Sequence, residues 1–209
     1  MGTFSNPGAT WDARYAEPEY LFGEAPNAFV KRTAPRYLFA GQSALCVADG
    51  EGRNSVWLAE HGLDVTAFDI SPNAVAKAHS LAARRGVTVD HRVADLATWQ
   101  FQPASVDALI AIFIQFMGPD VREGVFAHMQ DALKPGGYFL LEGYRPEQVD
   151  YGTGGPPRRE HMYTVPWLAG EFAGWEILHL AEHNSDLDEG AGHRGRSALI
   201  DLVARRPMR

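Results

Sequence analysis

Two glycines and an acid carry the first chemistry in this chain. Asp49-Gly50-Glu51-Gly52 forms a tight turn, where glycine lets the backbone reverse and approach a ligand. Asp69 lies 17 residues past Gly52. An acid at that distance, at the tip of the following strand, accepts the ribose hydroxyls of a bound nucleoside. A second set of residues is basic and aromatic. Segments 113–119, 144–163 and 184–196 read as irregular, and together they hold Tyr144, Tyr151, His161, His193 and five arginines, Arg145, Arg158, Arg159, Arg194 and Arg196. Such a concentration suits an anionic or electron-rich substrate, with solvated loop charge as the competing reading. His193, in a glycine-flanked loop, is the candidate base, substrate ligand or turn residue, and Tyr151 the second catalytic candidate. Gln115, Tyr144 and Arg145 are the expected substrate contacts. No pair of His or acidic residues has trustworthy metal-ligand spacing, so no metal is expected.

The elements that must position these residues follow from periodicity and punctuation. Residues 44–48 are a short apolar run, one buried strand. A helix follows the glycine turn, Gly62 fits its C-cap, and 65–68 is a second strand that ends in Asp69. Ser71 and Pro72 pair as N-cap and first helical residue of a helix that runs to Arg85 and stops at Gly86. Strands three and four are expected at 87–93 and 106–113, with a helix over 120–133. L-K-P-G-G at 133–137 reads as a helix stop and reversal into strand five at 138–142. A short helix capped by Thr164, strand six at 175–183 and strand seven at 197–204 complete the order. Strands alternating with helices predict an α/β doubly wound sheet, with its site at the carboxyl ends of the strands. Before it, residues 11–30 are rich in aromatics. They are expected to pack on the core, to serve as a lid attracting a cationic ligand, or both. Asn27 starts a helix over 29–39, interrupted by Pro35. The whole of 1–209 reads as one domain, with 1–42 as the lid and helical segment and 43–209 as the core.

Composition narrows the function classes. The formal charge is -7 and the pI about 5.6, against a general nucleic-acid or membrane-surface binder. The single cysteine, Cys46, lies in a predicted buried strand and excludes a disulfide framework or a three-cysteine iron–sulfur cluster. No apolar run is long enough to span a bilayer, and residues 1–10 lack the pattern of a secretory leader. A cytoplasmic location is expected.

The motifs also carry a resemblance. Gly50, Gly52 and Ser55 give G-x-G-x-x-S, which lacks the third glycine of a dinucleotide fold. C-V-A-D-G-E-G at 46–52, followed at a suitable distance by L-K-P-G-G, instead resembles the class I S-adenosylmethionine (SAM)-dependent methyltransferases. Together with Y-L-F-G-E-A-P-N-A-F, Y-G-T-G-G-P-P and G-H-R-G, these pieces look like a bacterial branch related to tellurite-resistance and thiopurine-type enzymes. Two positions depart from the pattern, Cys46 in place of the acid and Ala48 in place of the first glycine. The resemblance implies a Rossmann-like seven-stranded, mostly parallel sheet with an antiparallel last strand and helices on both faces. It implies SAM as cofactor, with Asp49 or Glu51 at the methionine ammonium and Asp95 and Leu96 at the adenine. Gly50, Gly52, Asn54, Asp69, Ile70 and Ile112 complete the expected cofactor set, covered by Trp11 and Tyr15. The implied reaction is methyl transfer to a small acceptor, such as a thiol or a chalcogen oxyanion, by in-line displacement. A SAM-binding regulator without turnover is the alternative, and a nicotinamide oxidoreductase a third class. No N-P-P-Y or D-P-P-Y follows strand four, so no nucleic-acid partner is expected. Neither is a membrane partner, and the assembly is expected to be a monomer or homodimer.

Overall fold

In a computed structural model that describes residues 6–208, seven strands form one sheet in the order β3-β2-β1-β4-β5-β7-β6. The strands are β1 (Ser43–Val47), β2 (Asp64–Asp69), β3 (Asp90–Val93), β4 (Val106–Ile112), β5 (Leu133–Tyr144), β6 (Glu176–Glu189) and β7 (His193–Arg205). Only β7 runs against its neighbours. The central strands are almost continuously apolar because both faces are covered. Ala44 and Cys46 of β1 pack toward α2 (Ala28–Tyr37), α3 (Arg53–Glu60) and α4 (Pro72–Arg85). Leu45 and Val47 pack on the other face, toward α5 (Pro119–Ala132) and α7 (Val165–Glu171). Cys46 is thus a small core residue.

Helix boundaries sit where the caps predict. Asn27, Ser71 and Thr164 each accept a first-turn N–H, and Gly86 ends α4 in the left-handed region. Pro35 lies inside α2 without ending it. The leader reading of residues 1–10 rests partly on 1–5, outside the described residues.

Two segments differ from the sequence reading. L-K-P-G-G is not a turn ahead of the sheet, since β5 already begins at Leu133, opposite Val106. A register shift between Val106 and Ala108 absorbs the extra residues, and Gly136 takes a positive φ of 78°. Residues 184–196 are not a loop either. The hairpin β6–β7 continues through them, and His193 lies opposite Glu189. Cross-strand charge pairs hold this extension: Arg194 Nε lies 3.0 Å from Asp188, and Arg196 Nη1 3.4 Å from Asp186. A run of alternating charges looks like loop in sequence and serves here as the outer face of a ribbon.

Candidate active site

At the carboxyl end of β1 the chain makes three positive-φ steps, Ala48 (47°), Gly50 (61°) and Gly52 (89°). Gly52 is required by packing, because a Cβ there would lie 2.7 Å from the Ala78 Cβ of α4. Asp69 ends the neighbouring strand. Its Oδ2 accepts the Gly50 N–H at 2.9 Å, and its Oδ1 accepts the Ser71 N–H at 2.9 Å. Each oxygen keeps a second acceptor site for a hydroxyl. Asp49 Oδ2 accepts the Ser55 hydroxyl at 2.5 Å. Burial, opposed by the Ser55 bond and helped by the charge of Asp69, pushes the Asp49 carboxyl up to about 7. Burial likewise raises Asp69 to about 6, against its backbone hydrogen bonds, with Glu51 adding to the rise. These acids lack a cation of their own, and a ligand carrying an ammonium and a sulfonium supplies one. The donor set therefore fits SAM.

Glu51 is buried and already engaged, 2.8 Å from Lys77 Nζ and accepting the Phe22 N–H at 3.4 Å. Asn54 is spent on the chain: its Oδ1 accepts the Asn27 N–H at 2.9 Å. Ile70 packs near Gly8, and Ile112 is half-buried at the end of β4. Asp95 accepts the Ala97 N–H at 2.9 Å in a turn, and Leu96 is buried in the core.

Over the strand tips runs a row of rings. Trp11 stacks on Tyr15 at 5.8 Å, and Tyr15 meets Phe22 edge-on at 6.1 Å. Phe22 and Phe113 each lie 4.3 Å from the His193 ring, and Phe113 lies 4.7 Å from Tyr144. The Tyr15 hydroxyl sits directly above Gly50. The N-terminal segment is thus packed across the strand tips. Helix α1 (Pro7–Arg14) is tied to α4 by Asp12, whose Oδ1 accepts the Ser71 hydroxyl at 2.6 Å and the Asn73 N–H at 2.9 Å.

His193 is buried among these rings, and burial holds its pKa below the usual imidazole range, although Glu189 pulls it upward. Its Nδ1 is 4.0 Å from Glu189 Oε2 and has no hydrogen-bond partner. Glu189 instead pairs with buried Arg53 at 2.7 Å and accepts the Ala28 N–H at 3.0 Å. Tyr144 is buried, with its hydroxyl unpartnered and its pKa raised by burial.

Other candidates stand apart from this row. Gln115 is turned onto the backbone of Tyr144, donating to its carbonyl at 2.6 Å and accepting from its N–H at 2.5 Å. Arg145 donates to Asn184 Oδ1 at 2.5 Å and lies 3.6 Å from Glu182. Tyr151, 38% exposed, ends the short helix α6 (Gln148–Tyr151) and is not part of the row. Each of the five arginines pairs with a carboxylate on the surface, so their charge is compensated locally. The 144–163 segment is pinned: Gln148 Oε1 accepts the Ala198 N–H at 2.8 Å, and Thr153 donates to the Arg196 carbonyl at 2.5 Å. Gly155 lies where a Cβ would come 2.9 Å from the Tyr144 ring, so it is there for close packing. Arg53 and Glu189 escape the sequence reading, because only the hairpin extension brings them to His193, whereas Phe22 belongs to the aromatic segment 11–30 and Phe113 to a segment already expected at this end of the sheet. The alternation of 186–189 was the available signal.

Residues 44–137 match the family model described as a methyltransferase domain. Residues 44–137 thus carry a methyltransferase domain of the SAM-dependent kind. The chain is 32% identical over 167 residues to a ribosomal protein L11 methyltransferase of Symbiobacterium thermophilum, covering 78% of this chain and 52% of that one. The chain spans about half the length of the curated relatives it matches. By fold it is similar to a protein solved in work on the conversion of a disulfide bond into a thioacetal group during echinomycin biosynthesis, with a TM-score of 0.80, 19% identity, and coverage of 97% and 93% of the two chains. It is also similar to TehB from Haemophilus influenzae, with a TM-score of 0.70, 21% identity, and coverage of 86% of this chain and 62% of that one. SAM is the family's cofactor. Among the described residues no helix is long and apolar enough to cross a membrane.

Proposed function

We propose that this protein transfers the SAM methyl group to a small soft nucleophile, a thiol or a chalcogen oxyanion, at the strand tips beneath the aromatic row. The observation that carries this reading is the juxtaposition of buried Asp69 and half-buried Asp49 with a row of rings that ends at His193. The acids suit the cationic methionine end of the cofactor, and the rings suit a desolvated sulfonium. SAM, when bound, supplies an activated methyl. The chain's own residues hold it, exclude water and align the acceptor, and alignment alone is worth roughly 7–11 kcal/mol in well-oriented systems. The methyl–sulfur bond breaks as the nucleophile–methyl bond forms, and S-adenosylhomocysteine leaves. An acceptor that enters protonated gives its proton to His193, whose lowered pKa keeps the imidazole neutral near pH 7. An already ionised acceptor needs only positioning. The fold neighbour from echinomycin work is named for chemistry at a disulfide, which supports sulfur as the first acceptor to test.

The test is release of S-adenosylhomocysteine across a panel of thiols, selenite, tellurite and small acids. Turnover on a thiol or chalcogen is the expected outcome. SAM binding without turnover across the panel would move the protein to the regulator class. With the acceptor in hand, His193→Ala is expected to lower kcat/KM and remove a free-enzyme pKa from its pH profile while SAM affinity stays nearly constant. Unchanged kinetics would leave positioning of a soft nucleophile as the whole mechanism.

A further inference from the structure

A second polar cluster lies under α2, and nothing in methyl transfer uses it. Glu142 of β5 faces Asp201 of β7 in register, and Asp201 pairs in turn with Ala181 of β6. His183, two residues along β6, projects to the same face. One ligand atom from each of Glu142, His183 and Asp201 lies within 4.8 Å of the other two. Glu142 and Asp201 are only 3% and 1% exposed. We propose that these three side chains form a divalent transition-metal site, of the class that takes Zn2+ or Mn2+, clamping β5, β7 and β6 together.

The orientation of His183 is the second observation. Its Nδ1 lies 2.9 Å from the Ser185 hydroxyl, and its Nε2 lies 3.1 Å from Asp201 Oδ1. With the Ser185 hydroxyl donating to Nδ1, the Nε2 proton bridges to the Asp201 carboxylate; with Nδ1 donating to Ser185, the bare Nε2 lone pair faces that carboxylate, the arrangement a cation takes up. A cation between them takes the place of that proton. Hydrogen bonding of the second ring nitrogen is also how ligating histidines are usually held. In a tetrahedral site with bonds of about 2.0–2.1 Å, neighbouring ligand atoms stand roughly 3.3 Å apart, and His183 Nε2 and Asp201 Oδ1 stand 3.1 Å apart here. Donors already present do not balance the two acids. Glu142 receives Asn27 Nδ2 at 2.6 Å, a neutral amide. Arg32 reaches Asp201 Oδ2 at 3.0 Å, but its side chain is 55% exposed, and Oδ1 is left facing His183. One imidazole with two carboxylates suits zinc or manganese. An ion can enter from the open edge of β6, where His179 Nε2, 3.8 Å from Asp201 Oδ2, stands ready as a further donor. No sequence spacing reveals such a site, because each ligand comes from a different strand.

The experiment is calorimetric titration of chelator-stripped protein with Zn2+, with visible absorption of added Co2+ as a parallel readout. One ion per chain is expected. Affinity should fall by more than about tenfold in both Glu142→Gln and His183→Ala. Co2+ bands of an imidazole–carboxylate site should be lost in both. His183 is half-exposed, so its variant keeps the fold, which thermal melting checks. Absence of one-to-one binding means that the two acids share a proton instead, and overturns the proposal. So does binding that either variant leaves unchanged.

Discussion

Asp49 and Asp69 sit at about 7 and about 6 because burial penalises their charged forms. A cationic ligand favours the ionised forms, so SAM binding should expel protons. Affinity should therefore rise with pH between roughly 5 and 7 and level off above. Titrations near pH 6 in buffers of different ionisation enthalpy measure the protons released, and none released would remove the acids from the cofactor's surroundings. For folding the sign is the reverse. Unfolded carboxylates ionise near pH 4, so between about 4 and 7 the folded form of these two groups holds more protons, and their contribution to stability falls as pH rises. Asp49→Asn should flatten that part of the pH–melting curve. Asp69→Ala removes an acceptor of charge-assisted bonds worth about 1.5–3 kcal/mol, and SAM affinity should drop by roughly one to two decades. Ala48 holds a φ of 47° where the methyltransferase pattern has glycine. Left-handed geometry costs a residue with a Cβ about 1–2 kcal/mol, part of which glycine returns through its freer unfolded chain. Ala48→Gly should therefore raise the melting temperature slightly.

Among elements, the cover and the hairpin matter most. Asp12 links α1 to the start of α4 by three hydrogen bonds, two to its side chain from Ser71 and Asn73 and one to its carbonyl from Asn73 Nδ2. Asp12→Ala should loosen α1, seen as faster amide exchange over residues 7–14 and weaker SAM binding, while the main melting transition moves little. Gly52→Ala forces a Cβ into Ala78 and should cost about 1–3 kcal/mol, lowering the melting point by several degrees. Much of the frame was legible. The β1–turn–α3–β2 unit and the caps at Asn27, Ser71 and Thr164 follow from local pattern, and the reversed last strand from the family resemblance. The surroundings of His193 were not. They depend on the register of β6 against β7, and alternating Asp and Arg look like solvent loop until a partner strand is known. Gln115 illustrates the other limit: its place at a strand tip is readable, but its bonds to the backbone of Tyr144 need coordinates.

At the scale of the whole molecule, the sheet is a platform with its acids at one end and the N-terminal segment folded across them. Any ligand that binds only this folded form stabilises it by mass action, by about 2.7 kcal/mol at a hundred times its Kd. SAM, but not NAD, should thus raise the melting temperature in a dose-dependent way. The row of rings has a further consequence, which concerns time. Gly50, Glu51, Asp69 and His193 are all buried at this end of the sheet, and we propose that the N-terminal segment lifts to admit the cofactor. Each cycle then contains an opening, a shutting and a second opening, and the first of these sets a ceiling on capture. In stopped-flow mixing, the observed rate should bend toward a plateau as SAM increases instead of climbing linearly. Phe22→Ala, which takes one ring out of the row, should lift that plateau and shorten the time each product stays bound.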